Sequence, residues 1–597
     1  MDDKHFDAVI IGSGFGGSVM AYRLAEAGLR VCLLERGKAF PPNSFPRAPY
    51  KLRNNFWDPS EGLYGMYNVW SFKGSGALVS SGLGGGSLIY ANIIIRKDEE
   101  WFVRDLDKGG YENWVVTRKD LDPHYDRVDR MMNVQKYPLC HKPYDKTMKT
   151  HAMIEAAEKL KRENPNETVQ WLPLNLAVSF RQRHVGDPDN PDDVNNPPLV
   201  GEPIIEEREN YHKRTRYTCV LCGECDFGCN TGSKNTLDYT YITAAHHAKA
   251  DIRPLCEVKS FAPLNNGKGY QVTYIHHDPE KWDGQKVDTG DPKLFPPQTI
   301  TCDRLIISAG TFGSPFLLFK NKAAFPNLSP MLGKRFCVNG DLLAFIVNSS
   351  ERKNGKTAPR VLDPNFGPVI TSAIRLGDTL DGLGEQGRGF YVEDGGNPYL
   401  LSWGAELTGF FNLLRRLFHF NRMRLNYYLG FNKDANLNSE LANLIGDCDV
   451  SKSSLPFLTM GRDIPNGVLS FDGKYLDCDW KIRKSQDYYD RVIRILKGIA
   501  DALNAKYMDN PSYQYLRQVI TAHPLGGCPM GDDKNNGVVD SYGEVFGYPG
   551  LYVMDGSIMP GPVGPNPSMT IAAISDRAAD YIIDRHKGII KEFKTNE

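Results

Sequence analysis

The chain is 597 residues long, more than one ordinary hydrophobic core holds, so its length predicts two or more lobes. Its 71 basic and 72 acidic side chains leave a formal net charge of −1, which gives no global nucleic-acid footprint and points to a small or apolar partner rather than a polyanion. Mean hydropathy is −0.42, and no run approaches the ~20 apolar residues of a helical membrane span.

The polar start, Met1-Asp2-Asp3-Lys4-His5-Phe6, leaves no room for the parts of a secretory signal, so a cytoplasmic location is expected, with or without membrane association. Ala8-Val9-Ile10-Ile11 is the first predicted strand. Gly12-Ser13-Gly14-Phe15-Gly16-Gly17 follows, then a helix from Ser18 to Gly28 and a second strand, Val31 to Leu34, ending at Glu35. This order predicts a dinucleotide cradle. Gly12 permits the tight turn, Gly14 clears the pyrophosphate approach, Gly17 lets helix and strand close up, and the helix N-terminus offers N–H groups to the anion. Glu35 is placed to accept from the ribose hydroxyls. Gly12, Gly14, Phe15, Gly16, Gly17 and Glu35 are thus expected cofactor contacts.

A second glycine-dense run, Gly74-Ser75-Gly76 through Gly82-Leu83-Gly84-Gly85-Gly86-Ser87, suits backbone pressed against a flat or phosphorylated ligand. Residues 164 to 215, rich in Pro, Asn, Asp and charge, read as surface connection around a few strands. Cys219, Cys222, Cys225 and Cys229 have the spacing C-x2-C-x2-C-x3-C, which bacterial ferredoxins use for cubane clusters. A [4Fe-4S] iron–sulfur cluster, structural zinc, and free or disulfide-linked cysteines are the open readings. Asn230 stands where a proline often follows the last ligand.

Asp303 to Gly310 is a further buried-strand candidate that returns to the nucleotide-binding sheet, with a helix opening at Thr311-Phe312-Gly313-Ser314-Pro315. Residues 316 to about 510 read as the substrate lobe. Within them, Leu413 to Leu425 interleaves four arginines with bulky apolar residues. That pattern fits either an amphipathic helix packed on its own lobe or one lying at a membrane surface. The chain ends with a helix from Ser568 to about Ile590.

The segment His523-Pro524-Leu525-Gly526-Gly527-Cys528-Pro529-Met530-Gly531, with Leu551 to Ser557 and Gly564-Pro565-Asn566-Pro567, resembles the glucose–methanol–choline oxidoreductases. The cradle, the Gly82 to Ser87 loop and the Ser308 to Pro315 turn stand before it in that family's order, and the cholesterol-oxidase branch is the nearest likeness. The resemblance implies an α/β fold: a Rossmann-like FAD-binding lobe interleaved with a sheet-containing α+β substrate lobe. Its expected parts are 1–135 and 241–315 for FAD, 136–240 as a connection carrying the cysteines, 316–510 for substrate, and 511–597 for FAD and the active site. By position, Gly84, Gly85, Gly86 and Ser87 would contact flavin or pyrophosphate, and Val258 would approach the adenine through its backbone. Ala309, Gly310, Asp555, Gly556, Pro567 and Met569 complete the implied contacts. His523 and Asn566 match the pair that handles the substrate hydroxyl, one by proton transfer and the other by orientation.

Two departures stand out. Tyr90-Ala91-Asn92 replaces the branch's Asn-Gly-Gly, and the isomerisation carboxylate has no secure counterpart; Glu393 and Glu406 are near it in sequence but read as solvated acids. The resulting expectation is FAD-dependent oxidation of a sterol or other bulky apolar alcohol, with electrons leaving through the cluster to a quinone or protein acceptor. A dioxygen-using oxidase with structural cysteines and a non-catalytic flavin-bearing binding protein are the rivals.

Overall fold

Ala8, Val9 and Ile10 are fully buried, as an apolar run without alternation must be when a strand is covered on both faces. The computed structural model describes residues 4–182 and 196–589 apart from 266, 283, 400–401, 403–409, 432–437 and 446–447. Glu406 therefore lies outside the described residues.

The first strand, His5–Ile11, sits inside a seven-stranded sheet. Val31–Leu34 pairs parallel on one side of it, with Asp251–Arg253 beyond. Gln298–Ile307 pairs parallel on the other side. That strand also takes Leu551–Val553 in parallel and carries the antiparallel strands Tyr270–His276 and Cys256–Pro263. One sheet thus draws on three distant stretches of chain. The helix Phe15–Glu26 covers it and packs on the C-terminal helix Ser568–His586.

The excursions between these stretches build a second, wholly antiparallel sheet of six strands, ordered Val169–Pro173, Ser372–Leu376, Phe390–Asp394, Leu455–Gly461, Leu342–Val347 and Lys506–Asp509. The helices Met148–Glu163 and Gln486–Ala502 pack on each other and on this sheet. The architecture is α/β, with a Rossmann-like lobe interleaved with a sheet-containing one.

Some boundaries differ from the sequence expectation. The first helix starts at Phe15 rather than Ser18, because Gly14 is its N-cap, and it ends at Glu26, two residues before Gly28 with φ +93°. The strand expected from Asp303 begins at Gln298, since residues 298–302 pair with Tyr270–Tyr274. The last helix stops at His586. Among the described residues, no helix is long and apolar enough to cross a membrane.

Candidate active site

A cavity of about 560 Å³ opens at the ends of the strands His5–Ile11 and Gln298–Ile307 and runs from the glycine turn to His523 and Asn566. That is where doubly wound sheets hold ligands. Gly12, Gly14, Phe15, Gly16, Glu35, Gly85, Gly86, Val258, Ala309, Gly310, Asp555, Gly556 and Pro567 all line it. Gly17, Gly84, Ser87 and Met569 do not. A Cβ on Gly17 would lie 2.0 Å from the Gly12 carbonyl, so that glycine serves helix–strand packing. The Ser87 hydroxyl donates to the Gly84 carbonyl at 2.7 Å and accepts the Leu237 N–H at 3.0 Å, which shapes the loop from behind. Met569 is buried in the core.

At the cradle end, Ser13 ties three segments together. Its hydroxyl donates to Glu35 Oε2 at 2.6 Å and accepts the Gly84 N–H at 3.0 Å, while its own N–H donates to Glu35 at 3.0 Å. Gly37 N–H holds the other Glu35 oxygen at 2.8 Å. Burial pushes the Glu35 carboxyl up, against these hydrogen bonds. The helix after Gly14 has neither a side-chain cap nor an acid in its first turn, so its positive end is left for a ligand anion. The helix Ser568–His586 begins the same way behind Asn566 and Pro567, which line the cavity. A Cβ on Gly14 would meet nothing within 4 Å. A fixed carboxylate, an uncapped helix end and a clear approach over Gly14 fit a flavin dinucleotide.

At the other end, His523 Nδ1 bonds Asp341 at 2.9 and 3.1 Å. A carboxylate accepts, so Nδ1 carries the proton and Nε2 is the basic nitrogen. Asp341 is fully buried and also accepts from the Thr521 hydroxyl at 2.7 Å and the Ala522 N–H at 2.9 Å, which fixes the turn holding the imidazole. Two residues earlier, Asn339 grips the loop before Asn566: its Nδ2 donates to the Gly564 and Pro565 carbonyls, and its Oδ1 accepts the Gly564 N–H at 2.9 Å. The Lys97 ammonium, fully buried, donates to the Pro562 and Val563 carbonyls at 2.9 and 2.8 Å. Residues 339–341 therefore position both members of the pair.

Glu393, read from sequence as a solvated acid, is 0 % exposed. It lies against Asn566 without a well-formed hydrogen bond, since neither Glu393 oxygen nor Asn566 Oδ1 has a partner. Burial pushes the Glu393 carboxyl well above the usual range, with the Asn566 carboxamide opposing. The carboxamide opposes because its N–H groups, not Oδ1, face the carboxyl as donors, so Glu393 is the group that can hold the Asn566 amide in place. Asp341, Asn339 and Glu393 lie on or beside the strands of the second sheet. The only sequence trace of Asp341 is an acid at the head of the apolar run Leu342–Val347.

The four clustered cysteines stand behind the cavity wall. Each thiol is within electrostatic reach of the other three. Burial pushes Cys219 and Cys225 up and Cys222 to about 12. Cys229 is instead lowered, because hydrogen bonds from Ser233 and Thr231 and the Lys234 ammonium outweigh its burial. None of the twelve cysteines is in a disulfide. Tetrahedral zinc, with Zn–S of about 2.3 Å, needs sulfurs about 3.8 Å apart. Among the described residues, the one group of donors that close, His124, Asp576 and Asp580, contains no cysteine. Arg23 and Arg127 pair with both of its acids, so it is a neutralised ion network. The buried amines of Lys149 and Lys234, both pushed down by burial, lie within electrostatic reach of Cys225.

Residues 459–575 match the family model described as GMC oxidoreductase, and residues 10–44 match an NAD(P)-binding Rossmann-like domain. The paromamine 6'-oxidase of Streptomyces fradiae is 41% identical over 616 residues, covering 98% of this chain and 93% of that protein. A cholesterol oxidase of Mycobacterium tuberculosis (strain ATCC 25618 / H37Rv) is 29% identical over 605 residues, covering 96% and 90%. The solved pyridoxine 4-oxidase from Mesorbium loti superposes with a TM-score of 0.56 at 16% identity, over 98% of this chain and all of that one, a likeness of fold.

Proposed function

This chain belongs to the glucose–methanol–choline (GMC) oxidoreductase family, and we propose that it oxidises a sterol or another bulky apolar alcohol and passes the electrons on through an iron–sulfur cluster. It is an FAD-dependent oxidoreductase acting on the CH–OH group. FAD, when bound, supplies the acceptor for the hydride that leaves the carbinol carbon as the alcohol becomes a carbonyl. The residues to hold it are the cradle from Gly12 to Glu35, Gly85 and Gly86, Val258, Ala309, Gly310, and Asp555 to Pro567.

The chain's own groups handle the proton. With Nδ1–H committed to Asp341, His523 Nε2 takes the hydroxyl proton, and the Asn566 carboxamide orients the hydroxyl without titrating. The observation that carries the substrate class is the apolar lining of the cavity that this pair shares. Trp70, Leu78, Phe312, Phe316, Ile370 and Phe457 line it, and they would leave the hydroxyls and amines of an amino sugar unpaired.

Support for onward transfer comes from the cysteine spacing and from its position against the cavity. Asp226, next to Cys225, lines the cavity, as does Tyr90. The Tyr90 ring packs on Phe15 at 5.7 Å and lies 4.8 Å from Lys234 Nζ, which donates to the Cys225 carbonyl at 2.9 Å and the Leu88 carbonyl at 3.1 Å. A one-electron carrier there suits a quinone or protein acceptor.

Anaerobic mixing of the holoprotein with sterols, long-chain alcohols and amino sugars tests the substrate class through flavin bleaching. Bleaching by the apolar alcohols is expected; bleaching by amino sugars alone overturns the reading, and bleaching by none returns a binding protein. Protein prepared without oxygen should hold about four irons and four acid-labile sulfides per chain, and Cys222→Ser should lose most of the iron while keeping FAD. Iron-free wild-type protein that forms peroxide in step with turnover would be an oxidase with structural cysteines.

A further inference from the structure

Between the neighbouring strands Phe390–Asp394 and Leu455–Gly461 the chain leaves the second sheet for residues 395–454. Both roots of this excursion are cavity wall. Gly395 and Gly396 line the cavity on the way out and Pro456, Phe457 and Leu458 on the way back, with the Gly395 N–H donating to the Pro456 carbonyl at 2.8 Å. The principal helix of the excursion, Phe410–Tyr428, packs on Asn438–Ile445.

A helix packed on its own lobe buries its apolar stripe. Here the stripe faces out. Leu414, Leu417, Phe418, Leu425 and Tyr428 recur at helical spacing and are 37–76 % exposed, and Phe431 just beyond is 81 % exposed. Arg415 and Arg422 are exposed along one edge of the stripe. Arg424 pairs with Glu440 at 3.8 Å. The helix carries four arginines and no acid. Pairing with a second copy would set arginines against arginines. An acid-free apolar stripe edged by guanidinium groups matches an anionic bilayer surface, with the apolar side chains at the acyl boundary and the arginines at the phosphates.

We propose that the exposed face of the helix Phe410–Tyr428, in the excursion that springs from the cavity wall, docks the protein on an anionic lipid surface. That the alcohol enters from this surface rests on the apolar-alcohol reading above; the docking does not.

Co-sedimentation of the holoprotein with vesicles tests it, using phosphatidylcholine alone or with about one-third phosphatidylglycerol. Binding at least about tenfold stronger to the anionic vesicles is expected, and it should weaken as salt shortens the screening length. The double variant Phe418→Ser/Leu425→Ser should lose at least about tenfold in binding, and Arg415→Glu/Arg422→Glu should lose the preference for anionic lipid. Both should keep their FAD and their bleaching by detergent-dispersed substrate. Wild-type protein that ignores anionic vesicles, variants that bind as well as wild type, or a dimer that the variants dissociate would each overturn the proposal. Vesicle binding is read without turnover, so a flavin that no apolar alcohol bleaches would end the substrate reading and leave the docking result intact.

Discussion

A histidine becomes a base through what holds its far nitrogen, and His523 is held by a buried carboxylate. Replacing His523 with Ala should leave folded, yellow protein whose flavin bleaches about 10²–10⁴ times more slowly, the range for a lost acid–base group; an unchanged rate in stopped flow would remove His523 from the chemistry. Asp341→Asn tests the positioning role separately. An amide in that place can donate to Nδ1, which would turn the proton-bearing nitrogen toward the substrate. The turnover number should then fall by about 10²–10⁴ with KM nearly unchanged, and the pH profile of bleaching should move. If Asp341 served only to support the fold, FAD content and thermal midpoint would fall and the pH profile of the remaining holoprotein would not move. Glu393→Gln belongs to the same chain of contacts. A glutamine keeps an oxygen to accept from the Asn566 amide N–H, so it should retain more activity than Glu393→Ala, which removes that acceptor.

Two glycines of the cradle turn show how one element separates binding from folding. A Cβ on Gly16 would lie 1.7 Å from the Met554 carbonyl, whereas one on Gly14 meets nothing within 4 Å. Gly14→Val should therefore fold and lose FAD, and Gly16→Val should lose soluble protein; stoichiometric flavin retained in Gly14→Val, read by absorbance, would contradict the cradle assignment. The segment that carries Asn339 and Asp341 depends on Asp463, whose carboxylate accepts the Val338 and Gly340 N–H groups at 3.1 and 3.0 Å. Burial pushes Asp463 from 3.8 up to about 7. Between those values the native state keeps a proton that the unfolded chain has released, so this group makes stability fall as pH rises from about 4 to about 7 and adds no slope above that. Asp463→Asn should lack that slope. Thermal midpoints of the two proteins should thus draw together or cross as pH rises through the window, and a constant gap would refute the assignment. The cradle was legible in the sequence because its determinants are local: glycine spacing, an apolar run and an acid at the end of the next strand. Asp341 was not, since 182 residues separate it from His523 and pairing over that distance leaves no periodicity. The helix Phe410–Tyr428 was half legible, because spacing reveals an apolar stripe but not which side the lobe leaves uncovered.

The whole molecule is interleaved, and the cavity inherits that. Its walls draw on residues 11–36, 70–93, 226, 256–258, 308–320, 343–396, 456–458 and 520–571, so each lobe contributes side chains to one site. Ties between distant segments converge around it. Asp555 accepts the Gly310 N–H at 2.9 Å and the Ser314 hydroxyl, joining the C-terminal block to the turn after the strand Gln298–Ile307 of the nucleotide-binding sheet. The network of Arg23, His124, Arg127, Asp576 and Asp580 ties the first helix, through Arg23, and the helix Arg118–Met131 to the last, with His124 Nδ1 at 2.7 Å from Asp576 and Arg127 at 2.7 Å from Asp580. A ligand that bridges such walls binds the assembled chain and not the unfolded one, so it stabilises the fold by RT ln(1 + [L]/Kd), about 4 kcal/mol at a thousandfold excess over Kd. FAD stripped under mild chaotrope and then titrated back should raise the midpoint of the main unfolding transition in proportion to the logarithm of its free concentration. Intrinsic tryptophan fluorescence is a suitable probe, because Trp70 lines the cavity, Trp101 is buried in another cluster, and both should report the same rise. A rise confined to flavin release, with the main transition unmoved, would mean that the nucleotide-binding sheet folds without its cofactor and that the interleaved segments are joined by their own contacts alone.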